Sequence, residues 1–260
     1  MENRVLALSG IHNFRDYGGY AARGGRLRTG HLWRSGQHFG ASSADLEAVH
    51  QLNIAAVIDL RGDSERAAFP CLRHDEFGGE VLFHPGETAG GKGRAAHEEW
   101  AAGVRTEQDA RAAMLQLYDT LPFRPVLVGT FKLYFQTLAQ RDTPSLLHCL
   151  AGKDRTGLAA ALVHALMGVH PDDVVTDYLL TNTAGDPEAR IAAGAVSLRS
   201  SYGMSMEDGA VRMIMSVQPE FLDRSFAAIT AAHGTVEAYA QAVLSADQAS
   251  IEAMAQKLIV

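Results

Sequence analysis

The chain predicts an α/β fold with a mainly parallel central sheet flanked by helices. Two observations carry that expectation. Short apolar runs at 54–58, 81–83 and 145–147 have strand length and are separated by stretches of helical sequence. The last run feeds a glycine-containing loop and then an apolar helical segment, and in a parallel sheet loops at the carboxyl ends of strands build the site.

The first forty residues are rich in Gly and Arg and read as loops and short strands. Ser42, Ser43, Ala44 and Asp45 have the spacing of a capping box and open a helix through about Leu52. Residues 54–58 form a candidate buried strand that ends in Asp59, Leu60 and Arg61, and 81–83 form another, stopped near Pro85 and Gly86. Residues 87–120 interrupt the alternation with Gly90, Gly91, Lys92 and Gly93, followed by alanine-rich, charged helical sequence. Phe131, Tyr134, Phe135 and Leu138 recur at helical spacing and read as a core face. A helix over 156–167 ends at Gly168, and the next starts at Pro171 with Asp172 and Asp173 in its first turn. After Gly185 the chain reads as helical, with breaks near Gly209, Pro219 and Gly234.

At 260 residues the chain can bury about three quarters of its unfolded surface. It contains no Pro/Ser/Gly-rich linker or internal repeat, so one elaborated domain is expected. The net charge of -7 argues against general affinity for nucleic acid or an anionic membrane, while allowing a local cationic pocket. Two cysteines, Cys71 and Cys149, are too few for a disulfide framework and suit a reducing compartment. The N-terminal residues lack the apolar core of a signal peptide, and no apolar run is long enough to span a bilayer. A cytoplasmic location is the expectation, with export by a signal-less route left open. The eleven histidines show no ligand pattern with a cysteine or carboxylate, so no metal site and no cofactor are assigned.

The string HCLAGKDRTG from His148 to Gly157 carries the functional signal. Cys149 and Arg155 stand with five residues between them, between a strand and a helix start. Such a loop turns several backbone N–H groups toward one point, and the helix dipole adds positive charge there. That environment stabilises a phosphate dianion and a thiolate alike. Arg155 can grip two phosphate oxygens with its planar fork. Gly152 permits close backbone approach, and Thr156 can offer its hydroxyl to the sulfur. Lys153 is expected at the pocket mouth, and Leu150, Ala151, Gly152, Lys153, Asp154, Arg155 and Thr156 are the candidate substrate-binding residues. His148 either orients the cysteine or supports the loop from the core. Arg15, Asp16, Arg34, Arg61, Glu65 and Arg66 are expected in structural ion pairs, and Cys71 as an inert thiol.

With these residues in view, the chain resembles the bacterial cysteine-dependent protein-tyrosine and dual-specificity phosphatases, some of which act on phosphoinositides. The loop carries most of the resemblance. Asn13 to Gly19, Gly30 to Ser35, Val57 to Arg61, Asp177 to Asn182 and Tyr239 follow in the order of that family's recurring segments. The resemblance implies a phosphotyrosine-phosphatase-like domain over 1–260, with a helical lid at about 87–121 and a helical C-terminal part at about 186–260. It implies a phosphorylated protein, or alternatively a phosphoinositide, as substrate, with a cysteinyl-phosphate intermediate and no metal. It makes Asp154 a candidate general acid. Asp59, following its strand, could reach the same pocket as the acid, or fix Arg155 or the loop backbone; Asp63 and Asp75 are further options. A silent phosphate-binding module is a third possibility, although binding alone does not require the thiol.

Overall fold

In the computed structural model, residues 4–88, 103–202 and 205–260 are described. A five-stranded sheet runs in the order β1 (Arg15–Asp16), β4 (Leu32–Ser35), β7 (Ser145–His148), β5 (Ala56–Asp59) and β6 (Glu80–Leu82). β1 is antiparallel to β4, and the other three pairings are parallel, as the sequence predicts. β2 (Ala21–Ala22) and β3 (Gly25–Arg26) make a separate hairpin.

Register and side-chain alternation divide the sheet into two faces. Trp33, Leu146 and Val57 lie in one cross-strand row and pack with Ile11, Phe14 and α1 (Ser43–His50). Leu147 and Ile58, one residue along, pack on the opposite face in the main core. That core is supplied by α4 (Pro125–Gln140) and α5 (Asp154–Leu166), and Phe131, Tyr134, Phe135 and Leu138 of α4 are buried in it. α5 is buried along nearly its whole length because it is covered on every side, by the sheet, α6 (Pro171–Leu179), α9 (Pro219–His233) and α10 (Val236–Leu244). The remaining helices are α2 (Asp63–Ala68), α3 (Glu107–Thr120), α7 (Pro187–Tyr202), α8 (Asp208–Met215) and α11 (Gln248–Leu258).

The expected capping box forms: Ser42 Oγ accepts from the Asp45 N–H at 3.1 Å, and Asp45 Oδ2 accepts from the Ser42 N–H at 2.9 Å. Gly234 caps α9 at φ 81°, where a left-handed residue ends the helix, and Pro219 opens it. The break expected near Gly209 falls just before it, since α7 ends at Tyr202 and α8 starts at Asp208. The glycine run at 90–93 lies outside the described residues. The helical part of the expected lid, α3, is built into the molecule: Met114, Leu117 and Tyr118 are buried in the main core. The helices that overhang the loop after β7 are α7 and α8, which bury Leu198, Val211 and Ile214 in a satellite cluster shared with Ala110 of α3. Among the described residues, no helix is long and apolar enough to cross a membrane.

Candidate active site

In-register rows place Ser35, His148 and Asp59 side by side at the carboxyl ends of three parallel strands. The next residue of β7's chain is Cys149, which is buried, and the loop 149–153 then turns into α5 at Asp154. Its carbonyls face the scaffold. Leu150 O accepts from the Gln37 N–H at 3.0 Å, and Gly152 O accepts from Asn13 Nδ2 at 2.7 Å and Arg34 Nη2 at 3.1 Å. The backbone N–H groups from Leu150 to Arg155 have no acceptor among the described residues. This division of labour, carbonyls held outward and N–H groups left at a helix start, is what an anion cradle requires. Gly152 is fixed in it for two reasons. Its φ is +65°, and an added Cβ would stand 2.4 Å from the Ser35 carbonyl group.

The scaffold behind the loop is an ion-pair knot. Asp177 on α6 takes Arg15 Nε at 3.4 Å and Arg34 Nη1 at 2.7 Å, and all three side chains are buried. Burial works against the Asp177 charge, but the two guanidiniums hold its pKa down at about 2. Arg15 is pushed down to about 9 by burial and by Arg34, against the pull of Asp177.

Arg155 is aimed by a carboxylate that the sequence reading placed elsewhere. Glu65 of α2 grips it with both oxygens, at 2.5 Å to Nη1 and 2.8 Å to Nη2. Nη1 also donates to Thr88 Oγ1 at 3.0 Å and to the Leu60 carbonyl at 3.3 Å. Burial disfavours the Arg155 charge, but the Glu65 pair overrides it and keeps the guanidinium protonated. Asp59 therefore does not fix Arg155. It makes a two-pronged pair with Arg61, at 2.9 Å to Nε and 2.7 Å to Nη2, and accepts the Arg61 N–H at 3.0 Å. Burial opposes its charge, yet His148 and Arg61 hold Asp59 ionised, well below the usual carboxylate range. His148 is itself fully buried, which pushes its pKa down to about 4, and its Nε2 stops 3.8 Å from Asp59.

Asp154 lines the pocket above the loop. Its Oδ1 accepts from Tyr118 Oη at 2.8 Å and from Lys153 Nζ at 2.9 Å. Tyr118 Oη also meets Tyr178 Oη at 2.6 Å, so α3 and α6 together hold the carboxyl group. Tyr178 fits because α5 has Gly157 beside it, where an added Cβ would stand 2.8 Å from the ring. Lys153 is not at the mouth. It is buried, and its Nζ donates to the Ile214 carbonyl at 2.6 Å and the Ser216 carbonyl at 3.1 Å, tying the loop to the C-terminus of α8. Burial pushes its pKa down, against the pull of Asp154. Thr156 Oγ1 is buried without a partner among the described residues, so the expected bond to the sulfur is not made.

The other sequence candidates fall away from the loop. Asp63 accepts from the Gly86 N–H at 2.8 Å and pairs with Arg66. Cys71 Sγ accepts from the His38 N–H at 3.2 Å, and burial pushes its thiol up. Asp16 accepts from the Gly18 and Gly30 N–H groups rather than from an arginine. His50, His74 and Glu76 bring potential metal-ligating atoms within 4.8 Å of one another, a grouping that sequence spacing does not show. There the imidazoles stack at 4.2 Å, His50 faces Glu76 at 3.5 Å and His74 faces Glu47 at 3.2 Å. Sequence reasoning missed Glu65, Tyr118 and Asp177 as site residues. The one available signal was arithmetic: buried arginines need carboxylates.

The profile of the tyrosine phosphatase family matches residues 6–260. The chain is 33% identical over 251 residues to a protein of Cupriavidus necator assigned as a tyrosine-protein phosphatase, covering 95% of this chain and 86% of that one. It is 30% identical over 204 residues to the triple specificity protein phosphatase PtpB of Mycobacterium tuberculosis, covering 68% and 69% respectively. Among solved structures, TpbA of P. aeruginosa aligns with a TM-score of 0.33 at 16% identity, over 76% of this chain and 95% of that one.

Proposed function

The chain belongs to the tyrosine phosphatase family, and from that premise we propose that it hydrolyses phosphate monoesters, chiefly protein phosphotyrosine, through a phosphorylated Cys149. The observation that carries this reading is the loop's polarity, with its carbonyls engaged by the scaffold and its N–H groups and Arg155 left around the cysteine. All 260 residues are read as one phosphatase domain, which the match over 6–260 supports. Tolerance for phosphoserine and phosphothreonine is part of the proposal, supported by the name of the PtpB relative.

In the first step the Cys149 thiolate attacks phosphorus while the phosphorus–oxygen bond to the leaving group breaks. The loop N–H groups and Arg155 carry the charge on the equatorial oxygens. The departing oxygen takes a proton from Asp154, whose Oδ1 is held by Tyr118 and Lys153 while Oδ2 remains for transfer. In the second step a water gives its proton to the Asp154 carboxylate and attacks the cysteinyl phosphate. Inorganic phosphate leaves and the thiolate is restored. Asp59 is read as structural, because an acid locked in its ionised form has no proton to give. Glu65 aims Arg155 and Tyr118 positions Asp154.

Substitution of the nucleophile tests the reading. Cys149→Ser is expected to abolish turnover of an aryl phosphate while retaining binding of inorganic phosphate by calorimetry, since the donors survive. Turnover comparable to the unmodified protein would remove Cys149 from the mechanism.

A further inference from the structure

Among the described residues, the buried arginines around this site pair directly with carboxylates, except one. Arg15 and Arg34 share Asp177, Arg61 has Asp59 and Arg155 has Glu65. Arg190, in the first turn of α7, is equally removed from solvent at 5% exposure. Its Nε and Nη1 have no hydrogen-bond partner among the described residues, and Nη2 reaches only the Met215 carbonyl, at 3.5 Å. The Asp154 charge pulls on Arg190 against the cost of burial, but among the described residues no carboxylate hydrogen-bonds or ion-pairs with it. A desolvated guanidinium with its fork unengaged is unfavourable in the free protein, and a planar fork of donors matches an oxyanion.

Its position gives that unengaged fork a direction. Arg190 lines the same pocket as Leu150, Ala151 and Asp154 of the phosphate loop, and the wall beyond it is apolar, formed by Ala193, Leu198 and Met215. The pocket measures about 250 Å³. A cavity of about 150 Å³ holds a benzene ring, so there is room for a ring and one substituent. The neighbouring cation cannot serve a ligand in the same way, because Lys153 Nζ is already shared among Ile214, Ser216 and Asp154.

We infer that Arg190 is the receptor of a second anion subsite beside the phosphate loop, taking a carboxylate or phosphate carried on the same ring as the scissile phosphate. The inference rests on the phosphatase reading and adds a preference to it: substrates with two anionic groups on one small ring bind better than those with one. Arg190 acts on the second group and leaves the bond-breaking step to Cys149, Arg155 and Asp154.

The test compares kcat/KM for phenyl phosphate with that for its carboxyphenyl analogues and for the phenylene bisphosphates, each as ortho, meta and para isomers. In the unmodified protein at least one doubly anionic isomer is expected to be preferred about tenfold or more, chiefly through KM. Arg190→Met is expected to bring that ratio close to one, and Arg190→Lys to retain part of it. Comparing the two substituents tells whether a carboxylate suffices or a phosphate is needed. Thermal unfolding of Arg190→Met checks the fold, and removal of an unpaired buried charge is expected to leave Tm unchanged or raised. If that variant does not fold, Arg190→Lys and the ratio in the unmodified protein decide. Turnover of phenyl phosphate with no preference for any doubly anionic isomer overturns the subsite alone, as does a preference that survives Arg190→Met. Failure to turn over any aryl phosphate overturns the phosphatase reading, and the subsite with it.

Discussion

Asp154 is held by Oδ1, while Oδ2 has no partner among the described residues, and that asymmetry makes two substitutions separable. Asp154→Asn removes the proton that the leaving oxygen needs but leaves the thiolate and phosphate donors in place. General acid catalysis typically supplies about 10²–10⁴-fold, so kcat/KM is expected to fall by that order for phenyl phosphate and phosphotyrosine, and far less for nitrophenyl phosphate. Tyr118→Phe keeps the acid and removes the phenol that donates to Oδ1 at 2.8 Å. It is expected to show the same leaving-group pattern at smaller amplitude, about tenfold, because Lys153 still contacts that oxygen at 2.9 Å. A loss in Tyr118→Phe that is equal across leaving groups would mean that the phenol supports packing only. An Asp154→Asn variant with no leaving-group dependence would remove the carboxyl group from proton transfer altogether.

At the scale of elements, what could be read in the sequence was local. The strand–loop–helix around Cys149, the capping box at Ser42 and Asp45, and the buried face of α4 all depend on residues a few positions apart. Gly152 belongs with them, since its left-handed φ is a property of one residue. Gly152→Ala is expected to cost about 1–2 kcal/mol in backbone conformation, and more because its Cβ would strike the Ser35 carbonyl group. The measurements are Tm and phosphate binding, and an alanine variant that binds phosphate normally would show that the loop does not depend on this turn. The partners of the site residues were not legible, because they arrive from other elements. Glu65 lies 90 residues from Arg155, and Tyr118 lies 36 from Asp154. Lys153 looked like a pocket-mouth charge because nothing near it in the chain announces that the carbonyls of Ile214 and Ser216 will close over it.

Over the whole molecule, the phosphate loop is fastened through Asp177, which joins α6 to β1 and β4 by way of Arg15 and Arg34. That knot links stability to pH in a definite direction. The folded pKa of Asp177, about 2, lies below its ordinary value of 3.8, so the folded state binds the proton less readily than the unfolded chain. The stabilisation is therefore fully present above about pH 4 and is lost as pH falls through 2, and it amounts to about 2 kcal/mol. Asp45 and Asp59 are also held below the usual carboxylate range and weaken the fold in the same acid window, so the curve of the unmodified protein alone does not isolate Asp177. The difference between that protein and Asp177→Asn does. At pH 7 the variant leaves two buried guanidiniums without their counter-charge, and a loss of about 3–5 kcal/mol is expected. Between pH 4 and pH 2 the gap should narrow by about 2 kcal/mol, because the unmodified protein is losing what the variant never had. Urea unfolding of both proteins across that range measures it. A gap that stays constant from pH 7 to pH 2 would show that Asp177 contributes through hydrogen bonding and shape rather than through its charge.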